Sequence, residues 1–315
     1  ITLKNLGRLD EAVKCYEKAL AIKPDYAEAH NNLGNVFMDL DHIDSAVKCF
    51  ESAIEIKPNY AEAHNNLGNA LTSLDQLDVA KKCYEKALAI KPDYAEAHNN
   101  LGNALTNLDQ LDAALVSYER AITLKPDINY ILGQSLHTKM HLCIWDDLPN
   151  SLNELTKKIN NNEKVIEPFS MLALIDDPEI QRKTAEIFAN KRYQKSYVLP
   201  EIGLYPKHKK IRIGYFSADF WNHPVSALTA ELYEVHDRDQ FEIHAFSFGA
   251  DTKDKMNLRI KAGVDYFHEV RSMSHKDVVL LARSLEIDIA VDLGGFTQDA
   301  RTGIFALSAA PIQAS

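Results

Sequence analysis

His223 lies in the stretch NHPVS (222–226), directly after the apolar run KIRIGYFSADFW (210–221). Pro224 suits the first position of a helix, so His223 is its expected cap. A helix N-terminus carries partial positive charge and unpaired N–H groups, which favour an anion and disfavour an imidazolium. A neutral imidazole beside a bound phosphate could accept or share a proton. The plain alternative is a histidine that only caps. A second stretch, GGFTQDAR (294–301), follows another apolar run. The pair Gly294-Gly295 suits close approach to a ligand, and it equally suits a tight turn leaving a strand. The third candidate is a column of amides. Glu28, Asn31, Asn32 and Asn35 recur as the same residue types 34 and 68 positions later, so Asn65, Asn66, Asn99 and Asn100 belong to it. A carboxamide both donates and accepts, so this column could grip a peptide backbone whatever the side chains are. Alternatively, the amides bond to each other or to neighbouring helix ends.

The amide column must sit on a repeat. YAEAHNNLGN occurs at 26–35, 60–69 and 94–103, and KP at 23–24, 57–58, 91–92 and 125–126. The 34-residue period resembles the tetratricopeptide repeat, a helix–turn–helix unit. One unit supplies Leu33, Gly34, Ala46, Phe50, Ala53 and Pro58, and the next two keep the register with Tyr84 and Tyr118 as the aromatic. Small residues let the paired helices approach, the aromatic fills the space between units, and the proline stops the second helix. A single unit cannot bury its apolar face, so the units are expected to stack into a solenoid whose first helices line the concave side. His30, His64 and His98 share one position and are read as structural.

The register is lost after about residue 128. Residues 129–206 read as a helical connector, with Asp177 a cap before Pro178. From 207 onward strands alternate with helices: IRIGYFS (211–217), FEIHAFSFG (241–249), the weak DYFHEV and IDIAVDLGG (287–295) are the strands. This alternation predicts βαβ units and a parallel sheet covered on both faces. Such sheets bind ligands beyond the carboxyl ends of their strands, where Asp219–Pro224 and GGFTQDAR (294–301) both fall. Neither GxGxxG nor GxxxxGK[ST] is present. The expected organisation is therefore an α-solenoid (1–128), a connector (129–206) and a Rossmann-like α/β domain (207–315).

The formal charge of −10, with 45 Asp and Glu against 35 Lys and Arg, lacks the basic footprint of a nucleic-acid binder. KHKK (207–210) reads as a solvated lead-in to a strand. No apolar stretch approaches the roughly 20 residues that span a bilayer. Cys15, Cys49 and Cys83 are one repeated position; with Cys143 they lack any CxxC spacing and are read as reduced, buried thiols of a cytoplasmic protein. The chain opens at Ile1 inside a repeat and closes on APIQAS, where a strand is expected to begin. It therefore reads as a piece of a longer protein.

KIRIGYFSADFWNHPVSALTAELYEVHDRDQFEIHAFSFG and DIAVDLGGFTQDARTGIFALSAAPIQ, behind these repeats, resemble the protein O-GlcNAc transferase family, and EPFSMLALIDDPEIQRKTAEIFA is similar to its bacterial members. The resemblance implies the first half of a two-Rossmann-domain (GT-B) glycosyltransferase. The implied reaction moves N-acetylglucosamine from UDP-GlcNAc, a co-substrate, to protein Ser/Thr hydroxyls, with no cofactor and no essential metal. It implies that Asn32, Asn66 and Asn100 grip peptide with Asn31, Asn65 and Asn99 beside them. It also implies that His223 lies beside the donor as the catalytic candidate, and that Thr297, with Gly294, Gly295 and Phe296, lines the donor and acceptor region. Gly294 stands where animal members have asparagine, and Ala227 and Phe296 also depart from the animal pattern. The implied second Rossmann domain, with most nucleotide contacts, would lie beyond Ser315, so residues 1–315 alone are expected to turn over slowly or not at all. The implied partners are protein or peptide substrates and a nucleotide sugar, with a homo-oligomer, a fucose-transferring relative and a non-catalytic peptide scaffold as alternatives.

Overall fold

The computed structural model describes residues 8–192, 199–206, 208–297 and 300–314, the side chains of residues 191 and 192 excepted. Lys207 of KHKK and residues 298 and 299 of GGFTQDAR lie outside the described residues. The chain divides into two compact units, Ile1–Thr184 and Ala185–Ser315.

The first unit is helical. Its repeats comprise α1 (Leu9–Ile22), α2 (Ala27–Asp39), α3 (Ile43–Ile56), α4 (Ala61–Ser73), α5 (Leu77–Ile90), α6 (Ala95–Asn107) and α7 (Leu111–Leu124). Then come α8 (Ile131–His141), α9 (Leu148–Asn160) and α10 (Pro168–Leu172), and α11 (Pro178–Arg192) crosses into the second unit. The turns inside the repeats place Asp41, Asp75 and Asp109 at φ of 61°, 58° and 56°, a left-handed conformation that Asp tolerates better than most residues. The conserved period has a steric basis. A Cβ built on Gly34, Gly68 or Gly102 would lie 2.5–2.6 Å from the ring of Phe50, Tyr84 or Tyr118. These rings are buried against Ala46, Ala80 and Ala114. Tyr84 and Tyr118 donate to the side chains of Asn69 and Asn103 at 2.8 Å, with Thr72 and Thr106 beside them at 3.1 Å. Where Phe50 lacks the hydroxyl, Met38 replaces the threonine. His30, His64 and His98 each use Nε2–H to bond the carbonyl of Pro24, Pro58 or Pro92 at 2.9 Å, which ties the first helix of a unit to the turn preceding it.

Two cysteines depart from the expected burial. Cys15 and Cys143 are exposed, whereas Cys49 and Cys83 are half-buried. Burial pushes the Cys49 thiol up to about 11, so it stays protonated near neutrality.

The second unit holds β1 (Ile211–Ser217), α12 (Pro224–Val235), β2 (Phe241–Ser247), α13 (Lys255–Gly263), β3 (Tyr266–Glu269), α14 (His275–Ser284), β4 (Ile289–Asp292), α15 (Gly303–Ala306) and β5 (Ile312–Ala314). All strand pairs are parallel, in the order β3-β2-β1-β4-β5. Alternation along β1 serves two cores. Ile213 and Tyr215 face Tyr233 and Ile260 from α12 and α13, while Phe216 stacks on Phe246 on the side of α14 and α15. Burial on both faces explains why these strands read as near-continuous apolar runs.

Candidate functional site

The chain order reverses between β1 and β4, so the sheet has a topological switch point there. Phe216 pairs with Asp292, and the Leu293 N–H donates to the Phe216 carbonyl at 3.1 Å. The loop carrying His223 and the loop carrying Gly294–Thr297 therefore leave from the carboxyl ends of adjacent strands, the place where open parallel sheets take ligands.

The first loop is held from four sides. Ser217 Oγ accepts from the Asp219 N–H at 2.9 Å, and the Ser226 hydroxyl donates to the Asp219 carbonyl. The Asn257 side chain donates to the Phe220 carbonyl at 2.7 Å. Asp254 Oδ2 accepts from the Asn222 N–H at 3.0 Å. Asp254 also caps α13 and accepts from Thr252, and these donors hold its carboxyl at about 2, the Thr252 hydroxyl contributing most. Two three-residue turns, Trp221 N–H to Asp219 O at 2.8 Å and His223 N–H to Trp221 O at 2.7 Å, set the loop's path. Gly249 fixes the neighbouring wall. A Cβ there would fall 1.7 Å from the Ala218 carbonyl oxygen, so only glycine lets the end of β2 pass the end of β1.

His223 is the cap of α12, as its spacing before Pro224 predicts, with extended backbone (φ −135°, ψ 150°). Its Nδ1 accepts from the Val225 N–H at 3.3 Å. Asp219 Oδ2 is 3.7 Å from the same nitrogen, too far for a hydrogen bond. One-third of the side chain is exposed, and the Trp221 ring lies 5.3 Å away, centre to centre.

The second loop is organised by Asp292, which is buried. Its Oδ1 accepts from the N–H groups of Gly294 at 2.9 Å and Gly295 at 3.1 Å. Burial raises the Asp292 carboxyl, and these two donors oppose the rise. Gly295 adopts φ 55°, whereas Gly294 does not occupy positive φ. Thr297 is exposed, and its hydroxyl donates to the Gly294 carbonyl at 2.7 Å. Phe296 packs edge-on against Phe188 at 5.5 Å. Arg301 donates to the carbonyls of Val270 and Met273, so this cation braces the turn after β3.

The amide column bonds to itself. Asn66 Nδ2 donates to Asn31 Oδ1 and Asn100 Nδ2 to Asn65 Oδ1, both at 3.0 Å, and Asn100 also donates to Asn69. Asn65 and Asn99 donate to Asn66 and Asn100 within their own helices, at 3.4 and 3.5 Å. Asn31 and Asn65 are buried, and Asn32, Asn66, Asn99 and Asn100 are partly exposed. Glu28, at the edge of the column, pairs with Lys57 at 2.9 Å. Sequence reasoning placed Asp219 in the loop after β1 but missed Gly249, Asp254, Asn257 and Asp292. Asp254 alone had a local signal, an aspartate just ahead of a helical run. Among the described residues no group of three or more His, Cys, Asp or Glu is arranged for a metal ion, and no helix is long and apolar enough to cross a membrane.

Comparison with known proteins places both units. The profile of glycosyl transferase family 41 matches residues 180–315. The TPR repeat profile matches 3–41, 34–75 and 68–109, and the tetratricopeptide repeat profile matches 95–128. The probable UDP-N-acetylglucosamine–peptide N-acetylglucosaminyltransferase SEC of Arabidopsis thaliana is 32% identical over 196 residues, covering 57% of this chain and 20% of that protein. The corresponding transferase of Caenorhabditis elegans is 31% identical over 107 residues, 33% of this chain and 9% of that protein. A solved structure of a Thermobaculum terrenum O-GlcNAc transferase mutant aligns with a TM-score of 0.48 at 22% identity, over 91% of this chain and 49% of that one. The chain thus spans about a fifth of the Arabidopsis relative's length. The resemblance seen in the sequence and the profile match agree, and both loops of the switch-point crevice lie within the matched residues.

Proposed function

We propose that this chain serves a protein O-glycosyltransferase. Its repeats hold a protein substrate, and its family 41 domain takes the nucleotide sugar at the β1/β4 switch point. N-acetylglucosamine passes from UDP-GlcNAc to a Ser or Thr hydroxyl. The hydroxyl oxygen bonds to the anomeric carbon, the bond from that carbon to the diphosphate breaks with its electron pair leaving on UDP, and the hydroxyl proton passes to solvent water. Negative charge grows on the diphosphate, and stabilising it is usually the largest catalytic contribution. The observation that carries the reading is the coincidence of the family 41 match with a helix-capping His223 at the crevice. Gly294, Gly295 and Thr297 line the neighbouring loop in this reading, with Phe296 bracing it. Asn32, Asn66 and Asn100, backed by Asn31, Asn65 and Asn99, offer the partly exposed amides to peptide backbone. The protein works in the cytoplasm, where nucleotide sugars and reduced thiols coexist.

Arg301 is already used by backbone carbonyls, so in this chain the departing diphosphate draws on His223 and the α12 N-terminus. Residues 1–315 by themselves are accordingly proposed to bind the donor weakly and turn over slowly. The test is transfer of labelled sugar to a protein mixture by the complete gene product, with UDP-GlcNAc and the fucose donor offered separately. Label from UDP-GlcNAc that disappears with His223→Ala supports the reading. Label from the fucose donor alone corrects the donor, and no label from either, with peptide capture intact, points to a scaffold.

A further inference from the structure

His223 has two possible uses, and they demand opposite ring tautomers. As a base it needs a free Nε2 lone pair, with Nδ1–H held by an acceptor. As a donor it needs Nε2–H, with Nδ1 unprotonated. Two groups compete for Nδ1 in this structure. The Val225 N–H points at it from 3.3 Å, and a backbone N–H can bond only to a nitrogen that keeps its lone pair. Asp219 Oδ2 stands at 3.7 Å, beyond hydrogen-bond distance. The carboxylate that would orient a basic imidazole is near, but it does not engage.

The helix settles the competition. Pro224 has no N–H, so the first unpaired donor of α12 able to reach the cap is that of Val225. Rotating Nδ1–H toward Asp219 would strand that donor at a partly buried position. Ser217, Ser226, Asp254 and Asn257 fix the backbone of the loop that carries His223, so the cap is offered from a set position.

We propose that the α12 cap commits Nδ1 of His223 as an acceptor, so that its Nε2–H faces the crevice as a fixed donor to an anionic oxygen of the nucleotide sugar, and no proton changes hands at this residue. Asp219 then shapes the loop and does not complete a catalytic dyad. The donor role rests on the proposed sugar transfer, whereas the tautomer does not.

Two measurements test it. The first is the two-bond proton–nitrogen correlation spectrum of 15N-labelled residues 1–315 at mildly alkaline pH. His223 is assigned by its loss in His223→Asn. A protonated Nε2 and a bare Nδ1 are expected, and the reverse pattern overturns the proposal. The spectrum decides the tautomer whether or not transfer is detected, which separates failure of this inference from failure of the functional reading. The second is sugar transfer by variants of the complete gene product. Gln places an N–H near the Nε2 position but caps poorly, whereas Asn caps well but cannot reach. His223→Ala is expected to lose about 10²–10³-fold, the usual effect of removing one oxyanion donor. His223→Gln should restore most of that loss while melting about 2–4 °C lower. His223→Asn should keep the wild-type melting temperature and stay as inactive as Ala. Equal losses in Gln and Ala would mean that His223 acts as a base.

Discussion

The Asn222 N–H donates to Asp254 Oδ2 across 3.0 Å, joining the loop after β1 to the first turn of α13. The same carboxylate caps α13 through Met256 and Asn257. Asp254→Ala should therefore loosen the His223 loop and fray α13 together. Transfer should fall at least tenfold, with a lower melting temperature, and Asp254→Asn should recover part of both because an amide oxygen still caps. Equal activity of the alanine variant and wild type would show that the loop is held without this bond.

Gly68 meets the ring of Tyr84 with no room for a methyl group. That ring is pinned by Asn69 and Thr72, so it cannot swing away. Gly68→Ala should cost about 1–3 kcal/mol by overpacking, read from the urea midpoint of the repeat unit. An unchanged midpoint would mean that the ring relocates freely.

Asn66 donates to the buried Asn31. Asn66→Ala strands that acceptor and should cost about 1–3 kcal/mol, beyond any effect on peptide capture. If stability is unchanged, the ladder is not structural, and its conservation across the three repeats would rest on the ligand alone.

The glycine pair splits into two roles. A Cβ on Gly294 would make only ordinary contacts, the nearest being Ala300 at 3.4 Å, so Gly294→Ala should fold with an unchanged melting temperature. Gly295 sits at φ 55°, and Gly295→Ala should cost about 1–2 kcal/mol. Equal effects in the two variants would contradict the turn geometry.

His208 lies between Asp288 (3.1 Å from Nδ1) and Glu286 (2.9 Å from Nε2). Hydrogen bonds to Asp288 and then Glu286 raise its pKa, because both ring nitrogens must donate to satisfy two carboxylates. The stabilisation is full below the unfolded value of about 6.5 and is lost as pH rises through the higher folded value. The melting-temperature gap between wild type and His208→Gln should therefore narrow from pH 6 to pH 9. A gap independent of pH would mean that His208 is neutral throughout.

The sequence exposed whatever depends on local spacing. The repeat register, β1 over 211–217, the Pro224 helix start and the His223 cap all involve residues a few positions apart. Contacts formed by the fold stayed hidden. Asp254 and Asn257 reach Asn222 and Phe220 across more than thirty positions, and Gly249 is required only because Ala218 passes beside it. The run IDIAVDLGG reads as a strand through Gly295, yet β4 ends at Asp292 because that side chain captures the N–H groups of Gly294 and Gly295. Alternating strands and helices predict a parallel sheet, but they do not say which strands are neighbours. The 3-2-1-4-5 order alone makes the NHPVS and GGFTQDAR loops adjacent.

The most direct test is a titration of 15N-labelled residues 1–315 with millimolar UDP-GlcNAc. Amide shifts confined to residues 218–226 and 292–297, and lost in His223→Ala, are predicted. Shifts elsewhere, or none at saturating donor, would contradict a nucleotide-sugar site at the β1/β4 switch point.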